Sequence, residues 1–239
     1  MKNLWQGEYK LRAGDFDKFD RIKPSSVLDL FQDAAGQHAE ELGLGFDNML
    51  ERGYLWVLIR VKFEICENLK RYQNVTVKTW PLPPHRLNYK REYCIADENG
   101  VVLVKGSSEW VVIDSNERRL LSVADIYPLE SFYDTVIFQE KIGKVHDFDI
   151  MGEPYVVNPG FSELDINNHV NNTKYANYVL DALNPQIDDV IKSFQIDYRK
   201  EVFAGTKLNI FSTKEENIIS AKGLNDQGDT MFACKIELN

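Results

Sequence analysis

LRAGDFDKFDRIKPSSVLDLF, residues 11–31, and VNPGFSELDINNHVNNTKYANYVL, residues 157–180, are two versions of one stretch. Aligned with Gly14 near Gly160 and Asp20 on Asp165, each runs from a polar loop into an apolar helix. In the first, Val27, Leu28, Leu30, Phe31, Ala34, Ala35, His38 and Leu42 recur at helical spacing over 25–43, between Pro24 and Gly43 as start and stop signals. In the second, TKYANYVLDAL (173–183) is the helix and Asn184-Pro185 ends it. Strand-like runs follow both: 55–65, 75–80, 89–96 and 101–114 after the first, 193–199, 207–213, 218–224 and 230–238 after the second. The hairpin signal DENG (97–100) matches NDQG (225–228). Offsets of about 145 at the helix and 128 at the hairpin make the first copy the longer. A lone apolar helix before an antiparallel set of strands is expected to be wrapped by the sheet it precedes.

Around this repeat the chain reads as 1–120, a first repeat; 121–152, a connecting segment too apolar to hang free; and 153–239, a second repeat. The 239 residues are 44% hydrophobic and 27% charged, which excludes a disordered chain. No window approaches the roughly 18 apolar residues of a spanning helix, so no stable membrane association is expected. Cys66, Cys94 and Cys234 are scattered and odd in number, which argues against a zinc site or a disulfide framework. A net charge of −9 argues against nucleic acid as a partner. It conceals a local excess of +5 over 61–91, either a solvated strand face or a docking patch for an acidic partner.

The chemistry concentrates in LDINNHVNNTKY (164–175). If this segment is extended, Asp165, Asn167 and His169 share one face, just before a helix capped by Asn171 or Asn172. A carboxylate, an amide and an imidazole beside free helix N–H groups supply the parts for acyl transfer. The plain alternative is an Asn-rich turn that only caps a helix. Against it, the first copy keeps Asp20 but places Ile22 opposite Asn167 and Pro24 opposite His169, so the polar set belongs to one copy.

The motif Asp-x-Asn-x-His-Val-Asn-Asn-x-Lys-Tyr, with WVLIR (56–60), Thr79-Trp80, SSEWVVID (107–114), Arg118-Arg119-Leu120 and IDYRKE (196–201), resembles the acyl-acyl-carrier-protein (acyl-ACP) thioesterases, known from plant plastids and bacteria. The resemblance implies an α+β double hotdog: two helix-plus-antiparallel-sheet repeats sharing one long curved sheet. It implies hydrolysis of fatty acyl-ACP, ending chain elongation, with an acyl carrier protein as partner and neither cofactor nor metal. The catalytic set it implies is Asp165, Asn167, His169 and Glu201. Plant members carry a cysteine after that Glu; Val202 stands here, so water, carboxylates and His must do the chemistry. Asp165 is then either an orienting group or a nucleophile.

The resemblance places the acyl slot in the first repeat, with Leu28, Phe31, Trp56 and Ile59 as lining candidates. The acidic carrier makes Arg86, Lys90 and Arg91 the expected docking residues. An acyl-CoA thioesterase of the same fold is the nearest rival, and a non-catalytic acyl-thioester-binding module the next. With no leader visible at the start, a bacterial cytoplasmic protein is expected, as a monomer or homodimer.

Overall fold

A computed structural model of the chain describes residues 3–122 and 126–239; residues 123–125, within the expected connecting segment, lie outside the described residues. The chain divides into two compact units, residues 1–22 with 27–142 and residues 23–26 with 143–239, so the segment 121–152 is split at 142/143.

In the first unit the order is β1 (Trp5–Lys10), α1 (Pro24–Glu41), α2 (Phe46–Glu51), β2 (Tyr54–Ile65), β3 (Asn74–Pro81), β4 (Tyr89–Ala96), β5 (Val102–Asp114) and β6 (Leu120–Leu121). Its strands lie antiparallel in the order β1-β3-β4-β5-β2, with β6 added on β5. The second unit holds β7 (Tyr155–Val157), α3 (Lys174–Leu183), β8 (Ile191–Tyr198), β9 (Leu208–Glu215), β10 (Ile218–Leu224) and β11 (Thr230–Leu238), in the order β7-β9-β10-β11-β8. The two orders are the same, element for element. Both helices and eight of the strands fall where the apolar periodicity predicts them. Strands β1, β6 and β7 and the short helix α2 carry too few alternating residues to be read that way.

Most of the predicted stripe of α1 is buried: Val27, Leu28, Phe31, Ala34, Ala35 and His38 face inward, while Leu30 is half-buried. On β4 the period-2 pattern buries Tyr89, Arg91, Tyr93 and Ile95 on one side. Phe31 stacks on Tyr93 at 4.3 Å and meets Phe63 edge-on at 6.3 Å. A Cβ on Gly106 would stand 2.3 Å from the Phe31 ring, so glycine there is a condition of this packing.

The chain after β6 runs back over the outer side of the first unit's sheet. Trp80 Nε1 donates to the Thr135 carbonyl at 2.8 Å, and the Ile137 N–H donates to the buried Glu92 carboxylate at 2.7 Å. Burial holds the Glu92 carboxyl above its ordinary range. Beneath this strap Arg60 pairs with the buried Glu109 at 3.0 Å, while Lys90 reaches its other oxygen only at 3.6 Å. Removing the closer cation strands a buried carboxylate. Arg60→Met is therefore expected to cost about 3 kcal/mol of stability, read from denaturant midpoints at unchanged slope. The rest of the connection strings along the second unit, where Val145 N–H donates to the buried Asp197 at 2.9 Å and Lys222 bonds Asp147 at 2.9 Å.

Candidate active site

The segment 164–170 is a tight turn, and the extended reading of it is corrected. The Asp165 N–H bonds the His169 carbonyl at 2.8 Å and the Asn168 N–H bonds the Asp165 carbonyl at 3.0 Å. Asp165 Oδ1 accepts from the backbone of Asn167 at 2.8 Å and of His169 at 3.2 Å. A side chain that takes two N–H groups of its own turn is the reason Asp begins it. Asn168 sits at φ 62°, a left-handed position that Asn and Asp tolerate better than most residues.

The first unit contains the same turn, atom for atom, three residues earlier than the alignment on Asp20 predicts. Asp17 Oδ1 accepts from the backbone of Phe19 at 2.8 Å and of Arg21 at 3.0 Å. The Asp17 N–H bonds the Arg21 carbonyl at 2.8 Å, and Asp20 takes the left-handed place at φ 62°. Bridges Phe16–Ile22 and Leu164–Val170 close the two turns alike. Asp17 therefore matches Asp165, Phe19 matches Asn167, and Arg21 matches His169. The conclusion from the asymmetry survives its corrected register. In the first turn Arg21 closes on Asp17 at 3.0 Å and lies over the Phe19 ring, so its charge is spent internally.

In the second turn the residue at Arg21's place meets a different group. His169 Nε2 stands 3.6 Å from Glu201 Oε2, and the imidazole packs edge-on against Phe203 at 4.7 Å. Glu201 lies in the loop after β8, which is held to the turn by the Val170 N–H donating to the Val202 carbonyl at 2.8 Å. Val202 is fully buried, where a cysteine would offer no reachable sulfur. Burial raises the pKa of all three thiols, most strongly Cys234. Asn167 is exposed, and its side chain makes no hydrogen bond among the described residues. Asn171 Oδ1 accepts the Thr173 N–H at 3.0 Å, but Thr173 is the N-cap of α3 and takes no side-chain cap bond, so the capping expected of Asn171 or Asn172 is corrected. The structure thus joins Asp165, His169 and Glu201 through one turn and one loop, with Asn167 on the turn's open side. No cluster of His, Cys, Asp or Glu suited to a metal occurs among the described residues.

Reading by sequence singled out Tyr175 only as a motif letter. It is 3% exposed, on the first turn of α3, and packs against Tyr198 at 5.4 Å and Phe232 at 5.2 Å. Its phenol is held above the ordinary range, first by burial and then by the Asp165 charge, with Glu201 adding to it. That places its hydroxyl in the field of both carboxylates.

The docking residues need correction. Arg91 is buried, not displayed: its Nη1 meets His38 Nδ1 at 3.0 Å and Thr79 Oγ1 at 3.2 Å, because odd positions of β4 face the core. Lys90 is turned toward Glu109, and Lys62 is matched by Glu64 at 3.3 Å. Arg86 remains exposed. Among the slot candidates, Leu28 and Phe31 are core residues, and Phe31 is closed in by Tyr93, Phe63 and Gly106. Trp56 and Ile59 are half-buried; Trp56 donates to the Leu44 carbonyl at 3.2 Å beside Tyr89.

Two family models match the chain in tandem: the acyl-ACP thioesterase N-terminal domain over residues 2–128 and the C-terminal domain over residues 153–238. Among curated proteins, a chloroplastic acyl-ACP hydrolase of Cuphea viscosissima is 25% identical over 191 residues, 74% of this chain and 46% of its own length. An oleoyl-acyl carrier protein thioesterase of Arabidopsis thaliana is 26% identical over 86% of this chain and 62% of its own. The chain spans about half the length of the curated relatives it matches. Among solved structures, an acyl-ACP thioesterase of Bacteroides thetaiotaomicron aligns over 99% of this chain and 98% of its own, with a TM-score of 0.84 and 23% identity. The 12:0-ACP thioesterase of Umbellularia californica aligns over 100% and 98%, with a TM-score of 0.89 and 21% identity. These whole-chain likenesses show the α+β double-hotdog fold that the resemblance implies and the repeat agrees with. No helix among the described residues is long and apolar enough to cross a membrane.

Proposed function

The chain belongs to the acyl-ACP thioesterase family, and from that premise we propose that it hydrolyses the thioester of a fatty acyl-ACP, releasing fatty acid and the carrier's thiol. The observation that carries the reading is the His169–Glu201 pair, 3.6 Å apart, on the one copy of the turn that lacks the Arg21–Asp17 closure. Glu201 and His169 take a proton from a water whose oxygen adds to the thioester carbon. Backbone N–H groups at the start of α3 hold the developing oxyanion. Collapse breaks the C–S bond, and the thiolate leaves with the proton returned through His169. Asn167, on the open side of the turn, orients the thioester. Asp165 acts as the orienting group rather than the nucleophile, because its Oδ1 already serves two backbone donors. Trp56 and Ile59 remain candidates for the lining of the acyl slot.

The test is a panel of acyl-ACP and acyl-CoA thioesters of varied chain length, followed by thiol release. Turnover of the carrier-bound thioesters supports the reading, and silence across the panel overturns it. For the carrier, Arg86 is the one of the three expected docking residues left on display. Arg86→Glu is expected to raise KM about 3-fold or more for acyl-ACP while leaving acyl-CoA unchanged, with the difference shrinking in high salt.

A further inference from the structure

Glu201 sits three residues beyond the end of β8, in a loop, and a catalytic carboxylate on a loop needs supports that fix its distance to its partner. On one side the loop is tied to β11, where the Arg199 and Lys200 N–H groups share the Met231 carbonyl at 2.9 and 3.1 Å. Toward the turn the ties are different. Tyr198, the last residue of β8, sends its hydroxyl to the Asn172 carbonyl at 2.8 Å, across to the chain that leads from His169 into α3. Tyr175, on α3, packs its ring edge-on against Tyr198 at 5.4 Å. A backbone tie joins the same two segments at Val202, the residue after Glu201. The Val202 carbonyl is taken by the Val170 N–H, the residue after His169.

We propose that the Tyr198 hydroxyl, its ring backed by Tyr175, is a brace that sets the separation of His169 and Glu201. The inference rests on the reading of Glu201 as the base. Both rings pack in an apolar setting with Phe232, where phenylalanine would fill the same space, so the hydroxyls are not required by the packing. The Tyr198 hydroxyl instead joins the strand that leads to Glu201 to the chain that follows His169. The repeat supplies the comparison. The Ser26 N–H bonds the Lys23 carbonyl as the Lys174 N–H bonds the Asn171 carbonyl, so Val27 stands where Tyr175 stands. Val27 is equally buried, and the turn before it has no His to pair. The brace, like the pair, belongs to one copy. Burial pushes both phenols up, so each keeps its proton across the working range of pH.

Tyr198→Phe, alone and on Glu201→Gln, tests the brace on the carrier-bound substrate turned over fastest. The single change is expected to lower kcat about 10- to 100-fold, with KM within about 2-fold and the melting temperature nearly kept. On the Glu201→Gln background the same change is expected to do less than about 2-fold, since the group it positions is already gone. An undiminished loss on that background, or no loss in the single variant, overturns the brace. A readout without substrate is the His169 imidazole resonance. In Tyr198→Phe it is expected to move toward its position in Glu201→Gln, and an unmoved resonance overturns the proposal. Wild-type turnover in Glu201→Gln itself would instead remove the reading of Glu201 on which the brace rests.

Discussion

Glu201→Gln is expected to lower kcat by about 10²- to 10⁴-fold while leaving KM and the melting temperature close to the parent's. The amide keeps the shape of the side chain and its place beside His169 but cannot act as a base. Glu201 is partly exposed, its side chain showing 37% of its surface, so little of the fold depends on its charge. Loss of activity with stability kept is the signature of a group that works only in the transition state. Replacing His169 with Gln should fall in the same range, and the double variant should be scarcely worse than either single one, because the two act as a unit. Parent-like turnover in Glu201→Gln would show that the base lies elsewhere.

Asp165 should separate into two effects. Asp165→Ala removes the acceptor of two backbone N–H groups, at a cost of about 1–2 kcal/mol, and is expected to lower kcat by orders of magnitude as the turn loosens around His169. Asp165→Asn keeps an oxygen for those donors, so its stability should return while turnover stays low if the charge itself serves the site. Full recovery of turnover in Asp165→Asn would reduce Asp165 to a turn former. The repeat contains the control. Asp17→Ala breaks the same two bonds in the first copy and should cost similar stability, yet leave kcat within about 2-fold, because no His–Glu pair stands on that turn. Calorimetry and thiol-release kinetics on the three variants decide the matter together.

Periodicity made the two helices and the long strands legible, because those elements bury one clean face. The register of the repeat was less so. Asp17 and Asp20 are both aspartates in the same turn, and the eye pairs Asp165 with the one nearer the helix. Only the bonds at Asp17 and the left-handed backbone at Asp20 separate the acceptor from the corner. Arg91 misled for a related reason. Counting charge along 61–91 ignores that β4 alternates, and an arginine between Tyr89 and Tyr93 must point where they point. Glu201 was legible through the resemblance alone, since nothing in a lone loop carboxylate announces a partner 32 positions away. The support at Tyr198 is a hydroxyl meeting a main-chain carbonyl, a kind of contact that leaves no pattern in side-chain type.

The duplicated turn also makes this chain a natural instrument for telling foldability from activity. In a library randomised at both turns and sorted twice, once for soluble expression and once for turnover, positions 17 and 20 should be filtered only by the first sort. Positions 19 and 21 should drift freely through both. Positions 165 and 168 should be caught by either sort, and 167 and 169 by the second alone. One molecule would then report, side by side, what a loop must conserve to exist and what it must conserve to work.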